Sequence, residues 1–168
     1  MKFLHLICII SFLCFNSCSF TRYYVVRHAE KLNETEDPPL SPDGFKRAKT
    51  LADTLKNKAI NKIFVSNRIR TQQTAAPTAN LFNLTPITTN ESATNDLIVN
   101  LKGQKKKNIL VVWHSTDIHT VVNALSPYDQ IQSIGNTFHN MFLVTRREFL
   151  GSKNYRLKRL TYGVVPIL

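Results

Sequence analysis

An α/β fold is predicted, a three-layer sandwich with a mostly parallel central sheet and helices on both faces. Two observations carry this prediction. Short apolar runs of strand length alternate along the chain with segments of helical periodicity, and the strongest runs, Tyr23 to Val26 and Asn108 to Trp113, read as buried strands. After Tyr23 to Val26, the polar stretch Lys31 to Pro39 is a loop ending in Pro-Pro. Ser41-Pro42-Asp43 is a helix start: serine can cap the free N–H groups, and proline is tolerated at the first helical position. Phe45, Ala48, Leu51, Ala52 and Leu55 then fall on one helical face.

Lys62 to Ser66 is a second strand. Thr71 to Leu81 reads as a helix that Pro77 is expected to kink or restart. Ile87 to Thr89 is a third short strand, and Asn95 to Leu101 a short helix ended by Lys102-Gly103. "NILVVW", residues 108–113, is the fourth strand. Ile118, Val121, Val122 and Leu125 have helical spacing before Pro127. Met141 to Thr145 and Tyr155 to Leu160 read as late strands that pair across Gly151-Ser152. With 168 residues and 43% hydrophobic content, the chain suffices for one domain, residues 19–168, and one core.

Residues 1–18 stand apart. Met1-Lys2, an apolar run from Phe3 to Phe15 and Asn16-Ser17-Cys18 have the layout of a signal peptide. The run is shorter than the roughly 20 apolar residues that span a bilayer. The small residue before Cys18 resembles the lipobox of bacterial lipoproteins, with Phe15 and Asn16 departing from its usual pattern. All three cysteines lie in this segment, which leaves the domain beyond Cys18 without a disulfide. The expectation is an exported protein held to the membrane through lipidated Cys18, in a bacterial cell envelope and facing the periplasm. A plain secretory signal and a buried apolar strand are the alternatives.

Without Lys2, 21 basic and 11 acidic residues remain. Such a balance attracts phosphorylated molecules, anionic lipid or nucleic acid. The basic residues are scattered, as in Lys46-Arg47, Lys105-Lys106-Lys107, Arg146-Arg147 and Lys158-Arg159, and most read as a solvated face beside a membrane. No nucleic-acid-binding motif is present, and export argues against such a partner.

In open α/β sheets ligands bind outside the carboxyl ends of the strands. Arg27 and His28 follow the first strand, Arg70 the second, and His114 the fourth. If these strands are parallel neighbours, two arginines and two histidines converge. Guanidinium groups bind phosphate oxygens through paired, charge-assisted hydrogen bonds. A neutral imidazole can attack phosphorus in line, and a second, when protonated, can stabilise the equatorial oxygens. A helix beginning near Ser115 and Thr116 would add backbone N–H groups. No metal or other cofactor is required by this chemistry, and the partner it points to is a small phosphorylated substrate or a phosphoprotein.

Four blocks in this order resemble the histidine phosphatase, or phosphoglycerate mutase-like, superfamily. "VVRHAEK" is similar to its Arg-His-Gly-Glu signature with alanine for glycine, and "PPLSPDGFKRAKTLADTL" to its Leu-Thr-x-x-Gly-x-x-Gln-Ala helix start. "IFVSNRIRTQQTAAPTA" resembles its strand and Arg-Thr-x-x-Thr-Ala segment, and "NILVVWHSTDIHTVVNAL" the strand carrying its second histidine. The likeness runs from about Tyr23 to Leu125, and "RLKRLTYG" is similar to the last strand of short exported members. It implies that His28 is the phosphorylated nucleophile and that Arg27, Arg70 and His114 complete the phosphate pocket. Glu30 reads as an orienting or structural residue, and Ser66 and Arg68 as loop support. Glu91 occupies a place comparable to that of the family's proton-donating glutamate, with Asp96 and Asp117 as alternatives. Trp113 stands where relatives often have glycine, either narrowing the pocket or packing in the core. Glu34 replaces the mutase-type asparagine. Phosphatase activity through phospho-His28 is therefore expected, with a catalytically inactive anion-binding lipoprotein and a phosphomutase as alternatives.

Overall fold

The structure, a computed structural model, describes residues 18–163. The predicted signal segment lies outside these residues except for Cys18. The elements run β1 (Ser19–Arg27), α1 (Pro42–Leu55), β2 (Lys62–Ser66), α2 (Ile69–Phe82), β3 (Ile87–Thr89), α3 (Thr94–Gly103), β4 (Asn108–Trp113), α4 (Ile118–Leu125), β5 (Asn140–Phe149) and β6 (Ser152–Thr161). One six-stranded sheet has the order β3-β2-β4-β1-β5-β6. Its first four strands are mutually parallel, and β5 and β6 complete it antiparallel. The sheet is thus mostly parallel, as predicted.

Side-chain alternation along β1 explains the layers, because successive residues of a strand point to opposite faces. Tyr24 and Val26 join Leu51 and Leu55 of α1 and Ala75 and Ala79 of α2 in one core. Tyr23 and Val25 join Leu97 and Leu101 of α3 and Val121 and Val122 of α4 in the other. Both faces of β4 are covered, which is why "NILVVW" carries no polar alternation. Each fully buried Leu, Ile or Val contributes about 1.5–3 kcal/mol of transfer free energy.

Several local expectations change. The first strand begins at Ser19, four residues before the apolar run, because Ser19 to Arg22 pair with β5 and follow its register. Phe45 has the helical spacing of the buried face yet is 49% exposed, while Gly44 is buried. A Cβ on Gly44 would lie 2.3 Å from the Glu30 carbonyl oxygen, so only glycine lets α1 approach the end of β1 this closely. Helix α2 runs unbroken through Pro77, whose missing N–H leaves the Gln73 carbonyl without its helical donor. It ends at Asn83 in the left-handed conformation, a closure that asparagine tolerates. Arg146 is buried rather than solvated: it pairs with Glu148 at 2.7 Å and donates to the carbonyls of Lys102, at 2.9 Å, and Gln104.

Candidate active site

Strands β1 and β2 flank β4, so Arg27, Arg70 and His114 arrive at one end of the sheet. They line a pocket of about 290 Å³ together with His28, Lys31, Glu91, Ser115, Thr116 and Asp117. Arg27, His28, Arg70, His114 and Glu91, the residues expected to form the pocket, are therefore all present there. Asp96, in the first turn of α3, is not among the lining residues.

His28 is 3% exposed, and its backbone N–H donates to the Trp113 carbonyl at 3.0 Å, tying β1 to β4. Its Nδ1 lies 2.8 Å from the Ala29 carbonyl oxygen. A carbonyl only accepts, so Nδ1 carries the proton and Nε2 keeps its lone pair. Burial, aided by the charges of Arg27 and Arg70, lowers the pKa to about 3, so the ring is neutral at pH 7.

His114 sits 5.7 Å from His28 between ring centroids. Arg70 Nη2 approaches its Nδ1 at 3.2 Å, and Ser66 Oγ its Nε2 at 2.8 Å. Because a guanidinium only donates, Nδ1 accepts and the proton resides on Nε2, donated to Ser66. Ser66 also receives the Arg68 N–H at 3.2 Å and lies 2.9 Å from Thr71 Oγ1. Burial first, then Arg70, lowers His114 to about 4. The second imidazole, expected to act when protonated, is thus neutral in the ligand-free pocket.

The two arginines are held with donors to spare. Arg27 Nη1 donates to the Gly135 carbonyl at 3.0 Å, and its guanidinium lies 4.2 Å over the Phe138 ring. Arg70 Nη1 is 3.6 Å from Asp37. Among the described residues, Arg27 Nε and Arg70 Nε and Nη1 are buried without a hydrogen-bond partner. Burial lowers the pKa of both guanidinium groups, and for Arg27 the nearby Arg70 adds to the effect. Buried donors are rarely left unpaired in native proteins.

Glu91 is ion-paired and hydrogen-bonded with Arg68 and lies 3.7 Å from both Arg70 and His114. Hydrogen bonding to Arg68 is the largest effect on its carboxyl and holds it below the usual carboxylate range. Glu30 does not reach the pocket: Arg47 grips it at 2.7 Å and ties α1 to the signature loop. Glu34 is exposed and pairs with Lys31 at 2.5 Å. Trp113 is fully buried in the core of α3 and α4, with Nε1 3.2 Å from Thr94 Oγ1, so it packs rather than narrowing the pocket. Helix α4 starts at Ile118, later than expected. The N–H groups of Asp117 and Ile118 turn back to the His114 carbonyl at 3.1 and 3.0 Å. What faces the pocket there is Ser115, Thr116 and Asp117.

Asp37, Gly135 and Phe138 were not legible from the sequence. Asp37 also accepts the Ile69 N–H at 3.0 Å, which pins the Lys31 to Pro39 loop to the start of α2. The proline-closed loop was its one sequence signal. Among the described residues no group of three or more His, Cys, Asp or Glu side chains is placed to hold a metal ion.

No curated protein sequence matches the chain. Solved structures share its fold at low identity. The protein histidine phosphatase SixA complexed with tungstate is 18% identical, with TM-score 0.59 over 83% of this chain and 96% of that one. A mycobacterial glucosyl-3-phosphoglycerate phosphatase is 14% identical, with TM-score 0.67 over 85% and 99%. A phosphoserine phosphatase from Entamoeba histolytica is 17% identical, with TM-score 0.57 over 80% and 94%. Residues 23–94, which include Arg27, His28, Arg70 and Glu91 and stop short of His114, match the histidine phosphatase superfamily (branch 1). Over residues 23–94 the chain is thus similar to the histidine phosphatase superfamily, and it shares the fold of these solved phosphatases.

Proposed function

We propose that this protein hydrolyses phosphomonoesters, or phosphorylated protein side chains, through a phosphohistidine on His28. The observation that carries the reading is that Arg27 and Arg70, each with buried N–H groups lacking a hydrogen-bond partner, line the same pocket as His28, a neutral histidine with a free Nε2. A phosphate dianion would satisfy those donors and present phosphorus to Nε2. Nε2 attacks, the P–O ester bond breaks in line, and the leaving oxygen takes a proton. Water then attacks the phosphohistidine, the P–N bond breaks, and inorganic phosphate leaves with His28 restored. The steps need no metal ion. The named activities of the fold neighbours, on phosphoserine, a glucosylated phosphoglycerate or a phosphorylated histidine protein, support the phosphatase class and span both small and protein substrates.

A bound dianion also changes the charges around it. It draws Arg70 away from His114 Nδ1 and favours an added proton on that ring, which can then stabilise the equatorial oxygens. The same negative charge favours protonation of Glu91, which can then serve as the acid for leaving-group departure. Glu91→Gln is expected to slow an alkyl phosphate by on the order of 10²–10⁴-fold while leaving an aryl phosphate, with its good leaving group, much less affected. Equal loss on both substrates would assign Glu91 a binding role only.

The pairing of Glu91 with Arg68 favours one second reading, an anion-binding protein without turnover, because it leaves the free pocket without a protonated acid. Failure to hydrolyse any phosphate ester, with retained oxyanion binding, would select it. A mutase is disfavoured because so short a chain offers little sequence for an enclosing lid. We further place the protein in the bacterial cell envelope, exported and anchored through lipidated Cys18. Support comes from the signal-like segment and from Cys18 standing directly before β1. Cys18→Ser is expected to abolish lipid labelling and membrane retention in the producing cell; unchanged retention would remove the anchor.

A further inference from the structure

The end of the sheet opposite the pocket has its own character. Strand β1 is nine residues long, so Ser19 and the pocket residue Arg27 stand roughly 26 Å apart at 3.3 Å per residue. Lys105, Lys106 and Lys107 form the turn beside the start of β1. Lys106 N–H donates to Thr21 Oγ1 at 3.1 Å, and the Lys107 carbonyl accepts the Arg22 N–H at 2.8 Å. Glu148 lies at this end too, but its charge is taken by Arg146.

The hairpin joining β5 and β6 reaches past Ser19, because Ser19 pairs with Glu148 and the turn follows at Leu150-Gly151. Phe149 and Leu150 at its tip are 43% and 69% exposed, and Phe20 beside them 40%. Leu150 and Gly151 both have positive φ, 49° and 77°. That is a two-residue turn of the kind asparagine-glycine favours, and a leucine in its first position is strained. The fold therefore holds a large apolar side chain, at a conformational cost, on a tip that is exposed among the described residues. A cavity of about 250 Å³ near this end is lined by Lys102, Lys153 and Tyr155, among others.

We infer that this end docks on an anionic phospholipid surface, with Phe149 and Leu150 inserted at the interface and the lysine turn over the headgroups. Exposed apolar side chains flanked by lysines are the chemistry of interfacial binding, in which apolar burial and attraction to anionic lipid act together. The described chain starts at Cys18 on this same end, with residues 1–17 preceding it. The pocket then faces away from the membrane and stays open to substrate. Docking depends neither on lipidation nor on catalysis.

All three core clusters of the described residues lie within residues 23–162, so the chain from Ser19 onward carries them all and has no cysteine to acylate. This chain is expected to sediment with mixed phosphatidylcholine and phosphatidylglycerol vesicles but not with phosphatidylcholine alone, and to release as salt rises. Lys105→Glu with Lys106→Glu is expected to abolish the binding. Leu150→Asn separates docking from folding, since it suits the turn and removes the apolar contact. It is expected to raise the melting temperature while weakening vesicle binding about tenfold. Equal binding to both vesicle types, no binding, or binding unchanged by Leu150→Asn would overturn the inference.

Discussion

His28→Asn is expected to abolish turnover of every phosphate ester, by on the order of 10⁴-fold or more, as loss of a covalent nucleophile does. Asparagine is the sharper substitution because its amide can still donate to the Ala29 carbonyl that orients the imidazole. The variant should therefore keep the pocket and lose only the lone pair at Nε2. Residual hydrolysis within tenfold of the parent would remove His28 as the nucleophile. Acid-stable labelling of the parent by a phosphorylated substrate would do the same, since the P–N bond is acid-labile.

The same substitution has a second consequence, in stability. His28 and His114 have folded pKa values of about 3 and about 4, below the ordinary 6.5 of an unfolded chain. Between those limits the unfolded state binds protons that the native state refuses, so stability rises with pH. It is complete above about pH 6.5 and falls as pH drops through 6.5 toward the folded values. From pH 6.5 to 5 each imidazole accounts for a loss of roughly 1.5 kcal/mol. Urea unfolding at pH 7 and pH 5 is expected to show a smaller loss for His28→Asn than for the parent. An unchanged difference would mean that His28 is not held neutral by the fold.

The contrast between what the sequence disclosed and what it hid follows from interaction range. Strands buried on two faces leave continuous apolar runs, and Ser41-Pro42 marks a helix start through a local cap, made here to the Gly44 N–H at 3.1 Å. Arg27, His28, Arg70 and His114 were readable as a group because a parallel sheet turns successive strand ends into neighbours. The clamp on Arg27 was not: it comes from Gly135 and Phe138, in a stretch without periodicity and more than 100 positions downstream. Glu91 was ambiguous for a related reason. Its own surroundings, "TTNES", carry little signal. Its place is fixed by β3 lying parallel to β2, where the Glu91 N–H reaches Asn67 Oδ1 at 2.9 Å. Protonation states were hidden as well, since the neutrality of His114 follows first from its burial and then from an arginine 44 positions away.

Arg27→Met is expected to move stability and activity in opposite directions. Arg27 is 6% exposed, accepts no carboxylate partner in a direct ion pair among the described residues, and faces the charge of Arg70. Its Nη1 bond to Gly135 and its stacking on Phe138 offset only part of the cost of burying a charge. Replacing a buried ion pair with apolar residues of similar volume is often neutral or stabilises by roughly 1–4 kcal/mol in other proteins, and a buried charge without a carboxylate partner has still less to offset its desolvation. The melting temperature in phosphate-free buffer should therefore rise. Hydrolysis should fall by on the order of 10²–10³-fold, because a preorganised donor to the developing charge is gone. A saturating oxyanion such as vanadate should raise the melting temperature of the parent by mass action on the native state, and raise that of the variant far less. Arg27→Lys should restore the charge without the planar fork and recover only part of the rate. If Arg27→Met instead melts lower than the parent and responds to vanadate as the parent does, Arg27 supports the fold and the phosphate is held elsewhere.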